Sequence, residues 1–175
     1  MAAFDNPHGF TLRGAATDLT CLPYTVTTGE TVYIGDVVKV TAAAGTVEQA
    51  DITDNFVGVS LSYGAAGAEV IVCIDPSALY TVQVENAGTT LAMEDLFEEF
   101  DIASSPATPA NQTSAQELAD APSTAGQGQF VLLGIEKGPE PNGTILPTWA
   151  EASIEAIVRP NVNLMGSVFV TDAAP

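Results

Sequence analysis

Basic residues are nearly missing from this 175-residue chain: Arg13, Lys39, Lys137 and Arg159 stand against 22 Asp and Glu, for a formal charge of -18. Four scattered cations assemble no basic patch, which disfavours nucleic acid and an anionic membrane surface as partners. Histidine is scarcer still, with His8 alone, so neither a Ser–His or Cys–His couple nor a histidine-rich zinc set has much to draw on. The two cysteines, Cys21 and Cys73, allow one bridge but lack the density of a disulfide scaffold and form no Cys-x-x-Cys pair. Cys73 lies inside Val70-Ile71-Val72-Cys73-Ile74 and reads as a small buried apolar residue. No stretch approaches the roughly 20 apolar residues that span a bilayer, and the N-terminus lacks a charged segment followed by an apolar run.

What the chain does have is β-prone sequence. From Tyr24 onward, Val, Ile, Thr and Tyr runs are separated by Gly, Asp, Asn and Pro, as strands are by turns. Val32 to Val40 is broken by Gly35-Asp36, where a bend or bulge is expected. Phe56 to Tyr63 alternates Val57, Val59, Leu61 and Tyr63 with Gly58, Ser60 and Ser62, the period of a half-buried strand. Glu69 to Asp75 is more continuously apolar, as in a strand covered on both faces, and Pro76 ends it. Tyr80, Val82 and Val84 alternate with Thr81, Gln83 and Glu85. Further strands are expected at Phe130 to Glu136, Ala152 to Arg159 and Ser167 to Thr171.

These signals predict an all-β protein: a small β-barrel or β-sandwich body over 23–175, preceded by an extended N-terminal arm at 1–22. The predicted core comprises Val32, Ile34, Val38, Val57, Val59, Leu61, Val72, Ile74, Val82, Val84, Leu132 and Val158. Ala103 to Gln129, rich in Ala, Ser, Thr, Pro, Gln and Gly, reads as a long surface excursion peripheral to that core. Within it, Ser114-Ala115-Gln116-Glu117 has the form of a capping box opening a short helix.

Catalytic chemistry finds no nominee. Glycoside hydrolysis needs only two carboxylates, yet nothing singles out a pair among 22. Glu94, Asp95, Glu98, Glu99 and Asp101 form the densest acidic cluster, in a stretch readable as a helical turn or two or as an irregular strand. Calcium takes several oxygen ligands, so a loop folding around a cation here would make a calcium-dependent surface or carbohydrate-binding module. The spacing does not match an EF-hand, and a solvated acidic face is the simpler reading. No cofactor and no metal site are predicted.

Several strings do resemble a known group. Asp5-Asn6-Pro7-His8-Gly9-Phe10, Tyr33-Ile34-Gly35-Asp36-Val37-Val38-Lys39, Val57-Gly58-Val59, Phe130-Val131-Leu132-Leu133-Gly134-Ile135 and the Trp149 to Asn161 segment resemble capsid cement, or head decoration, proteins of tailed bacteriophages. The resemblance implies a non-enzymatic virion protein on the outer surface of the capsid, made in the host bacterial cytoplasm. Its partner would be the major capsid protein, whose neighbouring subunits it would bridge against internal DNA pressure. A homo-oligomer, dimer or trimer, is expected. The arm carries Phe4, His8, Phe10 and Arg13, groups that make good contacts only when covered; they are the expected capsid-binding residues.

Overall fold

β-branched and aromatic residues recurring every second position leave the chain few choices but extended structure, because each strand buries one row of side chains only against another sheet. The computed structural model describes residues 7–14, 19–41, 45–52, 54–103, 112–123, 128–136, 149 and 153–161, and there the protein is nearly all β. The strands are β1 (Thr11–Arg13), β2 (Cys21–Thr25), β3 (Thr31–Val32), β4 (Val37–Thr41), β5 (Thr46–Gln49) and β6 (Gly58–Ser60). They continue as β7 (Gly64–Ala65), β8 (Glu69–Cys73), β9 (Leu79–Gln83), β10 (Glu99–Phe100), β11 (Phe130–Ile135) and β12 (Glu155–Pro160). The expected strand at Ser167 to Thr171 lies outside the described residues.

Two five-stranded sheets form the body, ordered β1-β9-β12-β11-β10 and β2-β8-β6-β4-β5, while β3 and β7 pair separately. Their strand pairings are antiparallel. The larger core lies between the sheets. The first sheet contributes Tyr80, Val82, Phe100, Phe130, Leu132, Ala156 and Val158, and the second contributes Val37, Val59 and Cys73. A second, Val-rich cluster sits on the other face of the second sheet and takes in Val26, Val38, Val47, Val70 and Val72. A bridge between Val26 and Val47 joins the end of the edge strand β2 to the opposite edge strand β5, so this sheet curls around that cluster. Gly58 is required where β6 meets β8, since a Cβ there would collide with the Cys73 carbonyl.

The bend expected at Gly35-Asp36 is present, with Gly35 at φ 89°. Asp36 is fully buried, and its Oδ2 accepts from the Tyr33 N–H at 2.7 Å while Oδ1 accepts from Gln49 Nε2 at 3.0 Å. Burial pushes its carboxyl above the usual range, opposed by hydrogen bonds from Ser114, Tyr33 and Gln49.

Several expectations need correction. Ile34 is 42% exposed, and Leu61 and Ile74 are only partly buried; Ile34 lies past the end of β3 at Val32, where its backbone pairs with the segment around Thr113 instead of continuing the alternation. In β8, Ile71 points outward at 39% exposure while Val70 and Val72 are buried, so that strand is not covered on both faces throughout. The excursion is corrected more deeply. Residues 112–123 form no helix but an extended segment whose Ser114, Gln116, Leu118 and Asp120 are buried at every second position. Leu118 bridges to Val84 and to Ile102, and Thr113 bridges to Ile34. The Ser114 hydroxyl accepts from the Gln116 N–H at 3.0 Å, closing a local turn rather than capping a helix.

Gln116 shows how firmly this segment is built in. Its Oε1 accepts from the Val37 N–H at 2.7 Å and its Nε2 donates to the Ala50 carbonyl at 3.0 Å, with the residue fully buried. Truncation strands two buried backbone groups, each costing about 1–3 kcal/mol. Gln116→Ala should therefore destabilise the fold by roughly 2–4 kcal/mol in urea denaturation, and a midpoint unchanged from wild type would refute the buried placement.

Candidate interaction surface

Of the residues expected on a free arm, Phe4 lies outside the described residues and the other three belong to the body. Gly9, at φ 72°, turns the chain beneath Ser114, whose side chain a Cβ at Gly9 would strike. Phe10 then enters the core at 1% exposure. Its ring stacks on Phe130 at 4.4 Å and meets Tyr80 edge-on at 6.4 Å, and Phe56 also stacks on Phe130 at 5.2 Å. The Phe10 N–H donates to the Gly35 carbonyl at 2.9 Å. The next three residues form β1 on the edge of the first sheet, so the arm expected over 1–22 is, from Gly9 onward, partly a strand of the body. Phe10 is a core residue, not an exposed anchor.

His8 and Arg13 are likewise engaged by the chain's own groups. His8 Nε2 lies 3.1 Å from both carboxylate oxygens of Glu155, and Nδ1 lies 3.2 Å from the Thr11 hydroxyl. With Nε2–H donating to the carboxylate, Nδ1 of the neutral ring is left to accept from Thr11. Arg13 donates to Thr81 Oγ1 at 3.0 Å and pairs with Glu136. The Glu136 N–H donates to the Glu155 carbonyl at 2.7 Å, so the His8–Glu155 and Arg13–Glu136 contacts belong to one patch across β1, β9, β11 and β12.

A different surface stands out. After the buried Leu91, a 3-10 turn at Met93–Asp95 is closed by Asp95, whose Oδ2 accepts from the Ala92 N–H at 2.6 Å. The chain leaves this turn through Phe97, held at φ 69° and 72% exposed. A bulky residue in the left-handed region is strained, and the Phe97 N–H is fixed there by the Leu132 carbonyl at 2.8 Å. Met93, 65% exposed, stands on the same turn. Glu94, Asp95, Glu98, Glu99 and Asp101 surround these two apolar residues in the sequence, giving an apolar knob on an acidic loop. The sequence signal for it was available: Phe97 has acidic neighbours and no alternating apolar partner.

The carboxylates here are partly committed to the backbone, since Glu99 Oε2 also accepts from the Gly128 N–H at 3.2 Å. Among the described residues, no three His, Cys, Asp or Glu side chains are grouped as metal ligands, and no helix is long and apolar enough to cross a membrane. No family model and no curated protein sequence matches this chain.

Two outcomes test this arrangement. Phe10→Ala should lower stability by about 3–5 kcal/mol, the usual cost of emptying a buried aromatic site; an unchanged melting curve would return Phe10 to the surface. The second concerns pH. The hydrogen bond to Glu155 raises the His8 imidazole above its ordinary value despite opposing burial. A group whose folded pKa is raised contributes stability fully present below its unfolded pKa, about 6.5, and lost as pH rises through the folded value. The stability gap between wild type and Glu155→Gln should therefore narrow from pH 6 to pH 9, read from urea curves; a constant gap would remove the ion pair.

Proposed function

We propose that this chain is a structural virion protein that binds the outside of a tailed-bacteriophage capsid and cements neighbouring major capsid protein subunits. The motif resemblance supports the reading, and so does a rigid two-sheet body whose strands are tied together by buried hydrogen bonds. The observation that carries it is the exposed Phe97, strained and set on an acidic loop. An aromatic knob desolvates well in an apolar socket, and carboxylates around it favour a socket with a basic rim. The docking role expected of Phe10 thus passes to Phe97 and Met93.

Copies of a chain with charge -18 repel one another, so a dimer or trimer requires apolar burial or a capsid that holds the copies in place. Both fit a protein that assembles on a shell surface.

Phe97→Gly separates docking from folding. Glycine relieves the left-handed strain, so stability should hold or rise by about 1 kcal/mol. Loss of an aromatic anchor worth about 2 kcal/mol should weaken binding to purified shells roughly 30-fold. Sedimentation of shells with limiting protein measures this, and equal occupancy by wild type and variant would sink the docking assignment. Absence of wild-type binding to any expanded shell would sink the cement reading itself.

A further inference from the structure

The two cysteines, 52 positions apart in the chain, are cross-strand neighbours: in the antiparallel pairing of β2 with β8, Cys21 stands opposite Cys73. Antiparallel pairs alternate between those that exchange backbone hydrogen bonds and those that do not. Two bonds set the phase. The Ile74 N–H donates to the Thr20 carbonyl at 2.9 Å, and the Val26 N–H donates to the Ala68 carbonyl at 2.8 Å. Thr20 with Ile74, and Val26 with Ala68, are therefore hydrogen-bonded positions in this register. Cys21 with Cys73 is one step away and falls on a non-hydrogen-bonded position, where Cα atoms approach to about 4.5 Å and side chains are closest. That separation lies at the short end of the disulfide range.

Pro23 independently supports the phase. It stands opposite Ile71 in another non-hydrogen-bonded position, where the missing N–H would point away from β8, toward the open edge of the sheet. Both sulfurs also share a face, since Cys73 belongs to the larger core and Cys21 packs against it.

We propose that Cys21 and Cys73 are a modification site that closes into an intramolecular cross-strand disulfide on exposure to a low-molecular-weight disulfide. Both residues are thiols in this structure. Cys21, only partly buried, is the entry point. Its thiol loses a proton and the thiolate attacks one sulfur of glutathione disulfide, expelling a glutathione thiolate and leaving a mixed disulfide. The Cys73 thiol, behind it, loses its proton and attacks the Cys21 sulfur, expelling the second glutathione thiolate. The protein gives up two protons and two electrons; the small disulfide is reduced to two thiols. Burial, together with the neighbouring Cys73 and Asp75, raises the Cys21 thiol above its ordinary value, so the first step quickens in mildly alkaline buffer. The product pins the Pro-containing edge strand β2 to β8 and removes freedom from the unfolded chain across the loop between the cysteines.

The test uses the full chain. After incubation with glutathione disulfide at pH 8, alkylation and trypsin, cleavage at Lys39 places Cys21 in peptide 14–39 and Cys73 in peptide 40–137. The proposal expects these two peptides linked, a monomer lighter by two hydrogens, and a melting temperature raised by roughly 5–10 °C that dithiothreitol reverses. Cys21→Ser, at the half-buried edge position, should fold and show no oxidant-induced shift. Two alkylated thiols after oxidation, a stable glutathione adduct on Cys21, or disulfide-linked dimers would each overturn it.

Discussion

Two buried glutamines do for the loop backbone what a neighbouring strand does elsewhere, and the joining of the two sheets depends on them. Gln116 bonds the Val37 N–H and the Ala50 carbonyl. Gln129 accepts from the Ile102 N–H at 3.0 Å and donates to the carbonyls of Asp51 and Asp54 at 3.1 and 2.9 Å. Backbone groups buried without partners are costly, so a chain that turns away from a ladder inside the body must find side-chain substitutes. With both carbonyl oxygen and amide N–H₂, a glutamine can serve as acceptor and donor at once. Each of these residues binds segments far apart in the sequence.

That rigidity gives meaning to the strain at Phe97. The left-handed backbone there is held by a hydrogen bond to Leu132, on β11, and by the short turn before it. A loop that could relax would turn the ring toward the body; one fixed at both ends keeps it in solvent. The electrostatics point the same way. Lys39 lies 2.7 Å from Asp54 and 3.4 Å from Glu48, and Arg13 pairs with Glu136, so these cations meet carboxylates of the same chain. With only four cations against 22 carboxylates, most of the acidic excess has no basic partner within the chain. A surface of this kind selects basic surroundings and repels its own copies unless apolar contact intervenes.

How much could be read in advance differs by segment for physical reasons. Tyr80, Val82 and Val84 are buried as their alternation implied, because β9 lies between β1 and β12 with these side chains on the core, and Val84 continues the row just past its end. The same rule failed at Ile34, which lies beyond the end of β3 at Val32 and pairs with Thr113 outside the sheets. It was silent at 112–123, where the buried row is Ser114, Gln116, Leu118 and Asp120: period two is there, but written mostly in polar residues that a hydrophobicity pattern cannot register. Phe10 was misplaced for a related cause. A single aromatic beside glycine carries no periodicity, and only the fold reveals that Gly9 steers it under Ser114.

By itself the sequence determined that the chain is β-built, strongly acidic and poor in the groups most catalytic and metal sites use, since composition and short-range alternation are properties of neighbours along the chain. The tertiary structure alone decided which residues outside the alternating strands face solvent and which distant residues face each other. It buried Phe10, stitched a polar segment between the sheets, exposed Phe97 and set Cys21 opposite Cys73. Those are outcomes of sheet order and register, which depend on contacts between positions tens of residues apart and are fixed only when every strand has found its partner.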